Sequence, residues 1–168
     1  PGHARNAAGQ TPRDGASPAG ETGAHGVNVN LSPPAIDVRG GKLRGLREGS
    51  TYSFLGIRYA EAERFGPPRP VQAWQGTKDA QVWGAICPHA AQTTVSGDEL
   101  VFPHRYWIEN EHCQYLNVWT QEPNPSARKP VMVWMHGGGF TNGASMEAYA
   151  YDGRSLSEPP TPPGRGCR

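Results

Sequence analysis

VMVWMHGGGF, residues 131–140, is the stretch of this sequence that decides its fold. Its first part is a run of large apolar residues without alternation, which is typical of a strand buried on both faces, as in a parallel sheet. A histidine and three consecutive glycines then follow, although each glycine loses much backbone entropy on ordering. The chain must therefore need bare backbone here, or a φ angle that other residues avoid.

Glycines that follow a strand can bring several backbone N–H groups to one small anion, because no Cβ atom stands in the way. Such preorganised donors stabilise a developing oxyanion, and one donor typically lowers the barrier by about 3–4 kcal/mol. A flexible or tight turn is the plain alternative. A phosphate-binding loop is a second alternative, but these glycines lack the G-x-x-x-x-G-K spacing of that loop.

Length and composition indicate one folded domain diluted by unfolded segments. The chain has 168 residues with 22 glycines and 17 prolines, and its hydrophobic content of 36% is low for a globular chain. The formal net charge of +1 gives no indication of a nucleic-acid partner. The longest apolar run, VMVWM, is far shorter than the about 20 residues that a membrane span needs.

The pattern along the chain divides it into three segments. Residues 1–34 are predicted to be a flexible leader, because their first 26 positions contain no Ile, Leu, Phe, Trp or Tyr. Residues 35–157 form the folded part. Residues 158–168 are a tail rich in proline and glycine, which favours neither helix nor strand.

Within the folded part, three short runs predict strands. IDVRGGKLRGL predicts a β-hairpin around Gly40 and Gly41. TYSFLGIRYA predicts a further strand, in which Gly56 marks a bulge or a point of close backbone approach, and YLNVWT predicts another short strand. Residues 89–110 show little periodicity and are expected to be a long surface loop.

More than the glycine run matches a known family. The sequence resembles the N-terminal part of a type-B carboxylesterase, the family of carboxylesterases, cholinesterases and related lipases. The matching blocks are GKLRG (41–45), FLGIRYAEAERFGPPRP (54–70), Trp74, GAICPH (84–89), ENEHCQYLNVWT (109–120), PVMVWMHGGGFTNGA (130–144) and YDGRSL (151–156). The resemblance implies an α/β fold that is the N-terminal portion of an α/β-hydrolase, incomplete, with antiparallel hairpin strands leading into a mostly parallel sheet.

The resemblance also implies a chemistry, namely hydrolysis of a small-molecule carboxylic ester through an acyl-enzyme on a serine, without a cofactor. Gly138 and Gly139 would donate two oxyanion-hole hydrogen bonds, and Gly137 would shape the turn. His136 and Phe140 would line the pocket. A role for His136 as the catalytic base is the weaker interpretation, because the catalytic histidine of this family comes late in the chain.

Cys87 and Cys113 match two cysteines that form a loop-closing disulfide in many relatives. A disulfide implies an oxidising compartment and therefore secretion or a periplasmic location. Some bacterial relatives keep this pair without secretion, so a cytoplasmic location stays open. A metal site that includes His89 and His112 is the competing interpretation; it is disfavoured, because adjacent His112 and Cys113 point to opposite sides of an extended strand, and we expect no metal.

Arg64 and Glu111 match positions that form a structural salt bridge in relatives. The alternative is two solvated surface charges, which contribute about 0–1 kcal/mol if paired. The sequence also departs from the family, since His112 stands where relatives carry an acidic residue. The choline-binding tryptophan of cholinesterases has no clean counterpart, because Trp107 has the wrong spacing to Cys113, and we therefore do not expect choline esters as substrates.

A serine esterase of this family needs a serine in G-x-S-x-G, activated by a histidine that an acid orients. Ser17 in GASPA and Ser145 in GASME have the first glycine of this motif but lack the second, so neither serine stands in it. After Ser157, EPPTPPGRGCR replaces the apolar strand with which relatives continue, which indicates a frameshift, a mis-spliced exon or an error in the gene model. A natural short product is the rival interpretation.

The chain alone is therefore expected to be inactive, whereas the full-length product is expected to be an ester hydrolase. The alternative is a non-enzymatic, cholinesterase-like binding or adhesion module, or a degraded remnant. The intact HGGGF motif favours the enzyme, because an adhesion module has no need for three glycines at this place.

Overall fold

The structure of the chain is a computed structural model, which describes residues 33–89 and 97–158. The predicted leader, residues 1–34, lies outside the described residues except for its last two positions. The predicted tail, residues 158–168, lies outside them except for its first position. None of the helices in the described part has the length and apolar composition that crossing a membrane requires.

Short strands dominate the described residues. In chain order they are β1 (Ala35–Val38), β2 (Gly41–Arg44), β3 (Leu46–Glu48), β4 (Thr51–Arg58), β5 (Ala60–Glu61), β6 (Arg69–Pro70), β7 (Thr77–Asp79) and β8 (Tyr115–Thr120). Helical structure within residues 33–89 and 97–158 consists of three 3-10 helices, at Gly97–Leu100, Pro125–Ala127 and Tyr149–Tyr151, and of α1 at Arg154–Ser157.

The first sheet begins with the hairpin that the sequence predicts. β1 and β2 pair antiparallel around a two-residue turn, with Val38 opposite Gly41. β7 pairs in parallel with the other edge of β2. The Trp74 ring packs against the turn, and a Cβ atom on Gly41 would lie 2.6 Å from it. Glycine at the turn therefore allows the ring to cover the hairpin.

The second sheet contains β3, β4 and β8, and its strand β8 contacts the segment that follows the glycine run. β4 pairs antiparallel with β3 on one side and with β8 on the other. The register of β4 against β8 shifts between Phe54 and Ile57, which places a bulge at Gly56, as the sequence predicts. β5 and β6 form a separate antiparallel pair. Among the named strands of the described residues, the pairing of β2 with β7 is the parallel one.

Two hydrophobic clusters hold the described residues together. The first contains Leu43, Phe54 and Ala80 between the sheets, and Phe54 is 1% exposed. The second contains Ile86, Ala144 and Met146, with Trp83 packed against it; this cluster joins the chain before Cys87 to the chain after the glycine run. The clusters divide the fold into a sheet region and a region next to the candidate site.

The apolar stretch 131–135 differs from its prediction. It pairs with no strand in the described residues, and its side chains are 59–85% exposed, so the prediction of a strand buried on both faces is wrong for this structure. Such a strand needs neighbours at both edges and a layer on each face. The described part supplies only the ring of Tyr151, whose centroid lies 5.4 Å from that of Trp134.

Candidate active site

The glycine turn, residues 137–143, follows the apolar stretch and folds back on itself. Gly138 (φ 118°), Gly139 (φ 60°) and Gly143 (φ 94°) adopt positive φ angles that favour glycine. The carbonyl oxygen of Gly138 accepts hydrogen bonds from the N–H groups of Thr141 at 3.0 Å and Asn142 at 3.2 Å. The conformation of the turn therefore accounts for glycine at these positions.

The N–H groups of Gly138 and Gly139 are neighbouring donors on an exposed part of the turn. Within residues 33–89 and 97–158, neither of them donates to another group. A Cβ atom on Gly138 would lie 1.9 Å from the carbonyl oxygen of Asn142, so the turn closes only around glycine. Two adjacent N–H groups that are held by the backbone can stabilise an oxyanion.

His136 and Phe140 flank the first glycines, and both are exposed. Nδ1 of His136 lies 2.7 Å from the carbonyl oxygen of Gly137. Phe140 is a non-glycine residue with φ 63°, a conformation that costs about 1–2 kcal/mol for an L-residue. The structure thus places these side chains beside the two donors, and their role in lining a pocket stays a prediction.

The anchor segment, residues 143–147, attaches the glycine turn to the body of the fold. Ala144 and Met146 are 5% and 3% exposed and belong to the second hydrophobic cluster. The carbonyl oxygen of Gly143 lies 3.2 Å from Nε2 of His89, and the N–H of Ala144 donates to the carboxylate of Glu147 at 3.3 Å. Because residues 136–142 are exposed, the position of the turn depends on this buried segment.

Asn117 on β8 joins the anchor segment to the second sheet. Its Oδ1 accepts from the N–H of Gly56 at 2.9 Å, and its Nδ2 donates to Oγ of Ser145 at 3.2 Å. Gly56 stands at the bulge with φ 65°, and a Cβ atom on it would lie 2.4 Å from the carbonyl oxygen of Val82. One amide side chain therefore satisfies the bulge of β4 and holds the segment that follows the turn.

The Asn117→Ala variant is expected to lose about 1–3 kcal/mol of unfolding free energy, because the half-buried N–H of Gly56 would lose its acceptor. The matched control is Ser145→Ala, which removes only the outer hydrogen bond and is expected to cost about 1 kcal/mol or less. Urea unfolding curves measure both losses. Equal losses in the two variants would contradict a special role for the bulge contact.

Asn117, Gly143 and Glu147 carry no motif that predicts a site role from the sequence. A signal for Asn117 was present, because it is the one amide inside the otherwise β-rich run YLNVWT. A buried polar side chain usually has a hydrogen-bonding partner. The partners themselves, Gly56 and Ser145, are 61 and 28 positions away in the chain, so the sequence pattern does not reveal them.

The thiols of Cys87 and Cys113 are free in this structure, and they are neighbours. Burial raises the pKa of the Cys113 thiol, and the neighbouring Cys87 thiol and the Glu111 carboxylate raise this pKa further. Cys87 is exposed, whereas Cys113 is partly buried. A disulfide between the two stays a prediction.

The raised pKa of Cys113 has a consequence for alkylation of the reduced protein. Only the thiolate reacts, so a raised pKa lowers the reactive fraction at any pH below it. We expect Cys113 to react with iodoacetamide at pH 7.5 several-fold more slowly in the folded protein than in urea. We also expect the midpoint of its rate profile to lie above the about 8.5 of an unperturbed cysteine. Peptide mass spectrometry measures this rate; equal midpoints in the folded and unfolded protein would contradict the expectation.

Arg64 and Glu111, the predicted pair of charges, lie close together in the structure. Nη2 of Arg64 is 3.4 Å from Oε1 of Glu111, and these side chains are 69% and 51% exposed. An ion pair this exposed contributes little to stability. In the described ranges no group of three or more His, Cys, Asp or Glu side chains is arranged to hold a metal ion.

A profile of the carboxylesterase family matches residues 32–159, and the chain belongs to this family. It is 40% identical over 138 residues to acetylcholinesterase from Gallus gallus, an alignment that covers 74% of this chain and 18% of the relative. It is 36% identical over 140 residues to liver carboxylesterase 1F from Rattus norvegicus, covering 75% of this chain and 24% of the relative.

Solved structures agree with this assignment. An esterase from Clostridium hathewayi that hydrolyses aliphatic aromatic polyesters is 47% identical with a TM-score of 0.69, covering 74% of this chain and 25% of that one. A pNB esterase is 31% identical with a TM-score of 0.58, covering 73% of this chain and 24% of that one. These neighbours are esterases of the α/β-hydrolase fold, so the predicted fold class is confirmed. The chain spans 18–25% of the length of the relatives named here.

Proposed function

We propose that the full-length product is a serine carboxylesterase and that this chain carries part of its oxyanion hole. The observation that carries the proposal is the pair of neighbouring N–H groups of Gly138 and Gly139, held by a turn that closes only around glycine. Membership in the carboxylesterase family supports an ester hydrolase, and the esterase neighbours support it independently.

In the proposed reaction, the oxygen of a serine outside this chain attacks the carbonyl carbon of the ester. The carbonyl oxygen becomes an oxyanion, to which Gly138 and Gly139 donate hydrogen bonds. The alcohol leaves with a proton supplied by a general acid, and water then hydrolyses the acyl-enzyme by the same steps. The role of this chain is electrostatic, because its donors are already oriented when the charge develops.

The proposal assigns the pocket to the residues around the donors. Gly137 shapes the entry to the turn, and the exposed side chains of His136 and Phe140 line the space beside it. The substrate class is a small-molecule carboxylic ester. No serine of this chain stands in G-x-S-x-G, so we expect no triad-based hydrolysis by the chain alone.

The experiment that tests the proposal is labelling of the full-length product with a fluorophosphonate probe, which reacts with activated serines. We expect one labelled serine in a G-x-S-x-G motif, together with hydrolysis of p-nitrophenyl acetate that the probe abolishes. A folded full-length protein that neither reacts with the probe nor hydrolyses the ester would overturn the proposal. That outcome would favour the alternative of a binding or adhesion module.

We also propose that Cys87 and Cys113 form a disulfide when the protein resides in an oxidising compartment, secreted or periplasmic. The proximity of the two cysteines, which raises the pKa of Cys113, supports this pairing. A peptide map without reductant tests it, since a linked pair of peptides is expected from protein isolated from that compartment. Two free thiols in such protein would contradict the proposed pairing, and failure to find the protein in that compartment would contradict the proposed location.

A further inference from the structure

Loop 97–109 crosses the anchor segment and is joined to it through the backbone. His104 forms an antiparallel bridge with Ala148. The N–H of Arg105 donates to the carbonyl oxygen of Glu147 at 2.7 Å. The position of the loop and the position of the anchor segment are therefore coupled.

The imidazole of His104 stands between a carboxylate of each segment. Its Nδ1 lies 3.6 Å from Oε1 of Glu99 on the loop and 3.8 Å from Oε1 of Glu147 on the anchor segment. The three side chains are 27%, 15% and 29% exposed, so solvent and salt screen their charges less than those of surface ions. Two ionised carboxylates held this close repel one another, and an imidazolium cation between them offsets the repulsion.

Glu147 connects this ion pair to the glycine turn. While Oε1 faces His104, Oε2 accepts the hydrogen bond of the Ala144 N–H at 3.3 Å. Ala144 follows Gly143, which packs so closely on the start of the turn that a Cβ atom on it would lie 2.4 Å from the carbonyl oxygen of Gly137. A movement of the Glu147 carboxylate is therefore transmitted to the turn through Ala144 and Gly143.

The remaining ionisable groups around His104 line the same cleft, which has a volume of about 320 Å³. The hydroxyl of Tyr106 donates to Glu99 on the loop. The guanidinium of Arg105 lies 4.1 Å from the centroid of an aromatic ring, and Nδ1 of His89 lies 4.0 Å from Oε1 of Glu109. Among the described residues, the ionic bridge between loop and anchor segment thus consists of His104 and its two carboxylates, in addition to the backbone contacts.

We propose that His104 is a positioning residue of the glycine turn, and that it acts as a cation that holds Glu99 and Glu147 together and thereby keeps Glu147 on the N–H of Ala144. The meaning of this for catalysis rests on the proposed function. The positioning itself does not, because it concerns only contacts within the described residues.

The proposal fixes the direction of the pH dependence. An imidazole is a cation below the titration range of histidine, about pH 5 to 8, and is neutral above it. A neutral imidazole does not offset the repulsion between two carboxylates, so the bridge requires the cationic form of His104.

Hydrogen exchange of the full-length protein tests the proposal, followed by peptide mass spectrometry between pH 5.5 and 8 and corrected for the intrinsic rate. We expect protection of the peptides around Ala144 and Arg105 to be higher at the low end of this range than at the high end, because only a cation between the two carboxylates offsets their repulsion. His104→Gln is expected to show the low protection at every pH. His104→Lys, which keeps a cation at pH 8, is expected to retain the high protection there.

The matched control is His112→Gln, because His112 is exposed and donates its hydrogen bond to Asn110 through its backbone N–H, which the substitution keeps. This variant is expected to keep the wild-type profile. A flat profile in the wild type would overturn the proposal, and so would an unchanged profile in His104→Gln. If His104→Gln does not fold, Glu147→Gln takes its place, and it must flatten the profile at the low level for the proposal to stand.

The two proposals fail in distinguishable ways. A pH-dependent protection that requires His104, in a protein without esterase activity, would support the positioning role and overturn the proposed function. Esterase activity with a flat exchange profile would do the reverse. If both proposals hold, His104→Gln is expected to lower kcat more than it raises KM, because the oxyanion donors act in the transition state.

Discussion

Gly138→Ala is expected to reduce the kcat of the proposed full-length esterase by about 10²–10³-fold, the usual effect of losing one oxyanion-hole donor. The added Cβ atom would lie 1.9 Å from the carbonyl oxygen of Asn142, and the φ angle of 118° is rarely adopted by residues other than glycine. The turn must therefore open, which moves both neighbouring N–H groups. Steady-state kinetics with p-nitrophenyl acetate measure the loss, and KM is expected to change much less.

A matched pair of glycines separates this effect from general strain. Gly139 and Gly49 have φ angles of 60° and 59°, and an added Cβ atom would meet nothing within 4 Å at either position. Alanine at each position is therefore expected to cost a similar amount of stability, about 1–2 kcal/mol. Only Gly139→Ala is expected to lower kcat, because Gly49 lies in the connection between β3 and β4. Equal activity of these two variants would contradict the donor role of Gly139.

Phe54→Ala is expected to cause the largest loss of stability, about 3–5 kcal/mol of unfolding free energy. The Phe54 side chain is 1% exposed and lies between Leu43 and Ala80 in the first hydrophobic cluster. Its removal leaves a cavity that the closely packed neighbouring side chains cannot fill by small movements. Urea unfolding followed by tryptophan fluorescence measures the loss.

Phe65→Ala is the matched control for this prediction. The same ring is removed, but Phe65 is 100% exposed. The guanidinium carbon of Arg64 lies 5.5 Å from the centroid of its ring. We expect a change of about 0.5 kcal/mol or less, as for most surface substitutions. A loss in Phe54→Ala no larger than that in Phe65→Ala would show that the first cluster does not stabilise the fold.

The local parts of the fold were predictable from the sequence because their signals are local. The hairpin at Gly40 and Gly41, the bulge at Gly56 and the strand YLNVWT each show short-range alternation or a glycine where the backbone needs one. The stretch 131–135 was not predictable in the same way. Its composition predicts a buried strand, but burial depends on partners that no property of the stretch itself supplies.

The features of the candidate site also differ in whether their sequence signals are local. The turn at Gly138 and Gly139 could be predicted, since consecutive glycines are visible in the sequence and resemble a known motif, whereas their role as donors stays a prediction. The contacts that hold the turn could not, because they join residues far apart in the chain. Asn117 reaches the bulge, and His104 and Glu147 meet across separate segments. Only folding shows which polar side chains come together.

The exposed stretch 131–135 has a consequence for how molecules of this protein meet one another. Five apolar residues with high β propensity, no charge and no proline are the composition of segments that stack into intermolecular sheets. Arg128, Lys129 and Pro130 stand directly before this stretch, and charges and proline at such a position oppose stacking. We therefore expect these three residues to limit aggregation through the exposed stretch.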